Sequence, residues 1–211
     1  MSLFYQQNIN ETTRLAVWKL EEPEDFFLAF VPLQRNITHP HKRLQHLAGR
    51  YLLAYLFLDF PHAEIEIADT RKPFLPDEQY HFSISHCGEY AAAIVSSTQR
   101  VGIDIEMITP RVDKIKHKFL HPDELAFVHA KPKVDQIKLL TLLWSVKEAM
   151  FKWWGKGEVD FSEALRFMPF ELQQSGMIEA EFRKVTFIQC LQLNYQLFDV
   201  MSLAWVFSEP Q

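Results

Sequence analysis

The sequence predicts an α+β protein of two similar α/β lobes in a pseudo-twofold arrangement, with the active site in the cleft between them. Three observations predict it. The order strand, short helix, long helix, three strands occurs twice along the chain. No low-complexity or linker segment separates the two runs, so they are expected to pack tightly. The length, 211 residues, suits one large domain or two small packed halves. The boundary falls near Thr98, giving an N-terminal lobe over 1–98 and a C-terminal lobe over 99–211. Element order alone carries the duplication, because no residue-level repeat is visible.

In the first half, Leu15–Leu20 reads as a short strand. Pro23 stands where a helix can open, and the apolar run Asp25–Val31 stops at Pro32. Lys42–Leu58 is a helix: Leu44, Leu47, Ala48, Tyr51, Leu52, Tyr55 and Leu58 recur at helical spacing on one face. Glu64–Ile67 alternates as a strand, and Asp69–Asp77 is a turn-rich loop with Pro73 and Pro76. Tyr80–Ser85 alternates again, Tyr90–Ser96 is a buried apolar strand, and Thr98–Arg100 is a turn.

The second half opens with a strand over Val101–Met107. A helix is expected over Asp113–Phe119, another opens at Pro122, and a long one covers Gln136–Trp153 with a stripe of Leu139, Leu143, Val146, Met150 and Trp153. Three alternating segments near 177–183, 185–193 and 195–207 complete it.

Composition excludes several classes. Hydrophobic residues make up 48% and charged residues 23%, which rules out disorder. The net charge of −5 argues against a general nucleic-acid binder, which needs a basic excess to release counterions. Two cysteines, Cys87 and Cys190, are too few for a disulfide scaffold or a four-thiolate zinc site. Residues 1–10 lack a signal-peptide pattern, and the most apolar stretch, Tyr51–Phe60, is about half the ~20 residues of a membrane span. A cytoplasmic protein with no membrane and no nucleic-acid partner is expected. Only 6 glycines are present, and Gly155-Lys156-Gly157 lacks the third glycine of a dinucleotide fingerprint. Any phosphate must then be held by cationic side chains and a metal rather than by a glycine-rich backbone cradle.

Three segments can carry chemistry. In Gly102-Ile103-Asp104-Ile105-Glu106, residues two apart share a strand face, so Ile103 and Ile105 point one way and Asp104 and Glu106 the other. Two carboxylates so close repel unless a cation stands between them, and all-oxygen ligation favours Mg2+ or Mn2+. The alternative is a solvent-exposed face of an edge strand. In Trp144-Ser145-Val146-Lys147-Glu148-Ala149-Met150-Phe151-Lys152, the residues Trp144, Glu148 and Lys152 lie along one helix side. A tryptophan on the polar side hints at a covered site; the alternative is an ordinary amphipathic helix with a surface Glu–Lys pair. In the third segment, prolines stiffen a loop around Arg71 and Lys72, and Ser85-His86-Cys87 ends a strand. Neighbours in a strand point to opposite faces, which disfavours Ser–His or Cys–His catalysis. His121-Pro122-Asp123-Glu124 places acids at a helix start, where capping is the default role.

Taken together and in this order, these segments resemble the 4'-phosphopantetheinyl transferases of the surfactin-synthetase-activating type, the monomeric two-halved branch. The resemblance covers roughly Arg71–Gly157, with weaker agreement over His46–Leu53, and GIDIE at 102–106 with WSVKEAMFK at 144–152 are its specific elements. It implies transfer of 4'-phosphopantetheine from coenzyme A to a serine of an apo acyl or peptidyl carrier protein, releasing adenosine 3',5'-bisphosphate. It further implies that Asp104, Glu106 and Glu148, the last two supplied from different elements of the C-terminal lobe, hold Mg2+. Lys152 would contact the phosphopantetheine-side phosphate, Lys72 the 3'-phosphate, and Ser85 with His86 the coenzyme A phosphates. Arg43, Arg50 and Arg71 are further phosphate candidates. The serine proton would go to Glu148, Glu124 or a metal-bound water. Two positions depart from the family: Arg71 stands for its glycine before Lys-Pro, and Cys87 for its serine after Ser-His. A carrier-docking face is expected near Lys114–Lys118 and Phe119. Two other classes fit the same residues: another Mg2+-dependent phosphoanhydride enzyme, and a non-catalytic module that binds coenzyme A or docks a carrier.

Overall fold

Alternating strands in each half must bury one face, and a long amphipathic helix is the element that covers it. The computed structural model describes residues 2–33 and 36–209; the outer ends of the two expected halves, Met1, Pro210 and Gln211, lie outside them. The chain forms a mixed α/β structure in two compact units. One holds the described residues through Ile103 together with Glu209, and the other Asp104–Ser208.

The first unit contains β1 (Leu3–Asn8), β2 (Thr13–Lys19), α1 (Glu24–Leu28), α2 (Pro40–Leu56), β3 (Glu66–Ile67), β4 (Pro73–Phe74), β5 (His81–Cys87) and β6 (Tyr90–Ser96). Its main sheet is antiparallel with the order β1-β2-β6-β5, in which Leu15 faces Ile94 and Ser85 faces Ala92. Helix α2 packs across this sheet, and Leu47, Leu52, Trp18, Phe82 and Ala93 share one core. The helix comes very close to β5: a Cβ on Gly49 would lie 2.6 Å from the Ile84 Cγ2. Phe82 packs in this core, so period-two alternation puts His81, Ser83 and Ser85 on the other face of β5.

The strand β7 (Arg100–Met107) runs from the first unit into the second. The second unit continues with α3 (Pro122–His129), α4 (Lys133–Trp154), β8 (Leu165–Phe167), β9 (Ser175–Lys184), β10 (Phe187–Leu197) and β11 (Met201–Ser208). Its sheet has the order β7-β11-β10-β9-β8. Helix α4 packs on β11 and β10, with Leu139, Leu143, Val146, Met150 and Trp153 in the core. Gly155, at φ 70°, takes the left-handed conformation that stops the helix. The Gly-Lys-Gly run is thus a helix terminus. Among the described residues, no helix is long and apolar enough to cross a membrane.

Two expected elements differ, and two strands, β1 and β8, form where none was expected. Glu64–Ile67 pairs only over Glu66–Ile67; His62–Glu64 is a 3-10 turn, and Ile67 is exposed, so the alternation has no face to bury. In place of a helix over Asp113–Phe119 there are two 3-10 turns, Pro110–Lys114 and Lys116–Lys118, because this lysine-rich run offers the core only Phe119 in full and Ile115 in part. Strand β1 hides behind its glutamines, which leave the apolar period of an edge strand faint. Strand β8, three residues long, is too short to show a period and forms by pairing with β9.

Candidate functional site

Strand β7 and helix α4 build an acidic site within the second unit. Ile103 and Ile105 are wholly buried on one face of β7, and Asp104 on the other is only 3% exposed. The exposed-edge alternative is thereby excluded. Lys152, two turns along α4 from Trp144, places its Nζ 2.7 Å from the Asp104 Oδ1. The Trp144 indole Nε1 donates to the Glu106 Oε1 at 3.0 Å. Its ring stacks on Phe161 at 5.7 Å and meets the edge of Phe119 at 5.0 Å. That is the cover the tryptophan implied. Burial, and then the Asp104 charge, push Glu106 up to about 7, against the opposing pull of the Trp144 hydrogen bond and Lys152. Burial and the charges of Asp104 and Glu106 likewise push Glu148 up to about 7, against Lys152.

Burial is the larger cause of both shifts, and the neighbouring carboxylate charges add to it against Lys152. Among the described residues, no three His, Cys, Asp or Glu side chains already converge as a metal-holding group. The donor chemistry still fits a hard cation: the Asp104 charge raises Glu106, and the charges of Asp104 and Glu106 raise Glu148, so three carboxylates share a largely buried place beside one lysine.

Glu124 has a different setting. It is buried, and its Oε2 accepts from the His121 backbone N–H at 2.9 Å, closing the capping box of α3. Its Oε1 accepts from the Phe167 backbone N–H at 3.1 Å. The Lys147 ammonium, 0% exposed, donates to Glu124 Oε2, to the Phe119 carbonyl at 2.7 Å and to the Phe161 carbonyl at 3.0 Å. Burial pushes Lys147 down to about 8 although Glu124 pulls the other way. Glu124 therefore stands as an internal ion-pair partner and cap. A base must reach a substrate hydroxyl, and this carboxylate is turned inward onto structural donors. Lys147 was not singled out from the sequence, yet the signal was there. It lies four residues after Leu143 and three before Met150, on the helix's own core face.

Apart from Lys152, the phosphate candidates lie in the first unit. Lys72 is largely buried, and burial together with the Arg100 charge pushes it down to about 8. Ser85 is buried and His86 exposed at the end of β5; the Cys87 thiol is half-buried. Arg71 is exposed at φ 67°, and its backbone N–H donates to the Ala68 carbonyl at 2.7 Å. It fills the turn position of a glycine. Arg43 gives its Nε to both Glu24 carboxylate oxygens at 2.8 Å and its Nη1 to the Ile37 carbonyl at 3.2 Å, so it is engaged in bracing α1 against α2. Arg50 is buried within α2, near His62, whose ring is pushed down to about 4 by burial and then by Arg50. Arg43 thus has a structural setting. Phe119 is fully buried, so it offers no surface for docking, and Lys116 pairs with Asp113 at 2.8 Å.

Comparison with known proteins places relatives beside this chain. Residues 100–203 match the model of the 4'-phosphopantetheinyl transferase superfamily. The chain is similar to a 4'-phosphopantetheinyl transferase, ffp, of Bacillus subtilis, 32% identical over 174 residues, covering 76% of this chain and 75% of the relative. To the transferase Sfp of Bacillus subtilis strain 168 it is 29% identical over 172 residues, covering 76% and 75%. To the transferase gsp of Aneurinibacillus migulanus it is 30% identical over 139 residues, covering 65% of this chain and 56% of that one. The match thus spans between about half and three quarters of these relatives.

Proposed function

From the premise that this chain belongs to the 4'-phosphopantetheinyl transferase family, we propose that it moves 4'-phosphopantetheine from coenzyme A to a serine hydroxyl of an apo acyl or peptidyl carrier protein. The observation that carries the reading is the covered acidic site of Asp104, Glu106 and Glu148 with Lys152 at its edge. The serine oxygen forms a bond to the phosphorus bearing pantetheine. The phosphoanhydride bond breaks, and adenosine 3',5'-bisphosphate leaves with the electron pair.

Such a displacement needs charge neutralisation and positioning more than covalent help. Asp104, Glu106 and Glu148 would hold Mg2+ or Mn2+, which supplies neutralisation of the pyrophosphate when bound. Lys152 adds a cation beside Asp104 for the phosphate that is transferred. Lys72, Ser85 and His86 bind phosphates of coenzyme A. Trp144 fixes the Glu106 carboxylate and keeps water from it. With Glu124 turned inward, Glu148 is the side chain left to take the serine proton. The protein is read as a cytoplasmic monomer whose partner is the carrier.

The test is incubation with coenzyme A, Mg2+ and a panel of apo-carriers, followed by intact mass. A pantetheine increment on the carrier serine is expected. Asp104→Ala and Glu148→Ala should abolish it while leaving the far-UV spectrum unchanged. Breakdown of coenzyme A without carrier modification would overturn the transfer. Near-normal turnover of either variant at saturating Mg2+ would overturn the metal assignment.

A further inference from the structure

Three strand starts in the first unit bring Lys72, His81 and Arg100 together. Lys72 immediately precedes β4, which packs beside β5, and its carbonyl accepts from the Ala68 N–H at 2.9 Å. His81 opens β5 and Arg100 opens β7. The Ile103 N–H donates to the Ser83 Oγ at 3.2 Å, which holds these two strands side by side two residues beyond His81 and three beyond Arg100. The turn leading to Arg100 is itself pinned. Ser96 Oγ accepts from the backbone N–H of Gln99 at 2.9 Å and shares a hydrogen bond with Thr13 Oγ1 at 2.8 Å, and Thr13 Oγ1 also reaches Gln99 Oε1 at 3.1 Å. Arg100 thus leaves a fixed backbone position, and both cationic residues are partly buried.

We propose that Arg100 is a phosphate-binding residue, forming with Lys72 one paired-cation subsite for the 3'-phosphate of coenzyme A. The inference rests on the coenzyme A reading above and adds a residue to it. Electrostatics support the grouping. Arg100 lowers Lys72, and burial with both cations lowers His81, while Glu78 pulls His81 and Arg100 the opposite way. The facing groups are therefore Lys72, Arg100, His81 and Glu78. One carboxylate against two cations leaves net positive charge, and burial with the two cations disfavours the protonated form of His81. Coenzyme A presents two kinds of phosphate. The bridging pyrophosphate carries one charge per phosphorus and is the group a metal neutralises. The terminal monoester approaches a dianion near neutral pH, since its second ionisation lies near ~6. A pair of adjacent, partly desolvated cations matches the dianion, and the fixed fork of an arginine suits its oxygens. In the sequence, Arg100 read only as the last residue of a turn.

The experiment is calorimetric titration of the wild type, Arg100→Gln and Arg100→Lys with coenzyme A, dephospho-coenzyme A and adenosine 3',5'-bisphosphate. Arg100→Gln should weaken coenzyme A and the bisphosphate by about tenfold to a hundredfold, the worth of one charge-assisted contact, and leave dephospho-coenzyme A within about twofold. Arg100→Lys, which keeps the charge and the fold, should retain part of the preference for the 3'-phosphate. Equal losses for coenzyme A and dephospho-coenzyme A, or unchanged affinity for all three, would overturn the assignment while the coenzyme A reading stands. Wild-type protein that binds none of the three would overturn both.

Discussion

Arg71 holds a left-handed backbone, φ 67°, that an L side chain adopts at a cost of about 1–2 kcal/mol. Its side chain is exposed. Glycine takes that conformation freely but loses more entropy on folding. Arg71→Gly should therefore stabilise the first unit by about 0.5–1 kcal/mol in denaturant melts. Coenzyme A affinity should be unchanged; a tenfold loss would place Arg71 on a phosphate. At this scale, chemistry was legible where residue types are unusual for their place. Asp104 and Glu106 on one strand face pointed to a cation, and Trp144 on a polar helix side to a covered site. Arg43 was not legible as a brace, because its partner Glu24 lies 19 residues away and only the packing of α1 on α2 joins them.

Helix α4 serves two tasks on adjacent positions. Glu148 points to the acidic site, and Lys147 points inward to Glu124 and to the carbonyls of Phe119 and Phe161. The inward cation ties α3, the segment before it and the segment after α4 to the helix that presents Glu148. Breaking a buried pair by removing one partner costs about 3–5 kcal/mol, while replacing both by apolar groups is often neutral. Glu124→Gln alone should destabilise the second unit by about 2–4 kcal/mol. The double change Glu124→Leu with Lys147→Met should recover most of that loss in urea unfolding. In the folded fraction of Glu124→Gln, single-turnover transfer should slow by no more than about tenfold, equivalent to ~1.4 kcal/mol. A thousandfold slower step with normal stability would make Glu124 the base. Helical spacing puts Lys147 on the core face, but its partner Glu124, 23 residues away, is joined to it only by the packing of α3 on α4.

Across the whole molecule, the two units should respond oppositely to acid. His62 sits near 4 when folded against about 6.5 when free. Its native state resists protonation, so its contribution is present above about 6.5 and is lost as pH falls toward 4. That loss is about 1–2 kcal/mol after allowance for its partly exposed ring. Glu106 and Glu148 sit near 7 when folded, above the ordinary carboxylate range, so the folded second unit holds protons that the unfolded chain releases. Their contribution is full below about 4.5 and is lost as pH rises through 7. Between pH 7.5 and 5, hydrogen exchange corrected for intrinsic rates should show the first unit losing protection and the second gaining it. His62→Gln should flatten the first trend, and saturating Mg2+ the second. Parallel trends in both units would contradict these assignments.

The sequence by itself determined the mixed α/β class, the two long helices, most strands and the acidic segments. Those features are written in local periodicity and in residues whose charge or size is out of place for their element. It also determined the family resemblance, through the paired segments at 102–106 and 144–152. Only the tertiary structure decided which charged residues are buried, that Glu124 belongs to Lys147, and that Arg100 stands beside Lys72. Those relations join positions 23 and 28 residues apart in the chain. Burial and electrostatic pairing depend on distance in space, and no local pattern encodes that distance until the sheets and helices have packed.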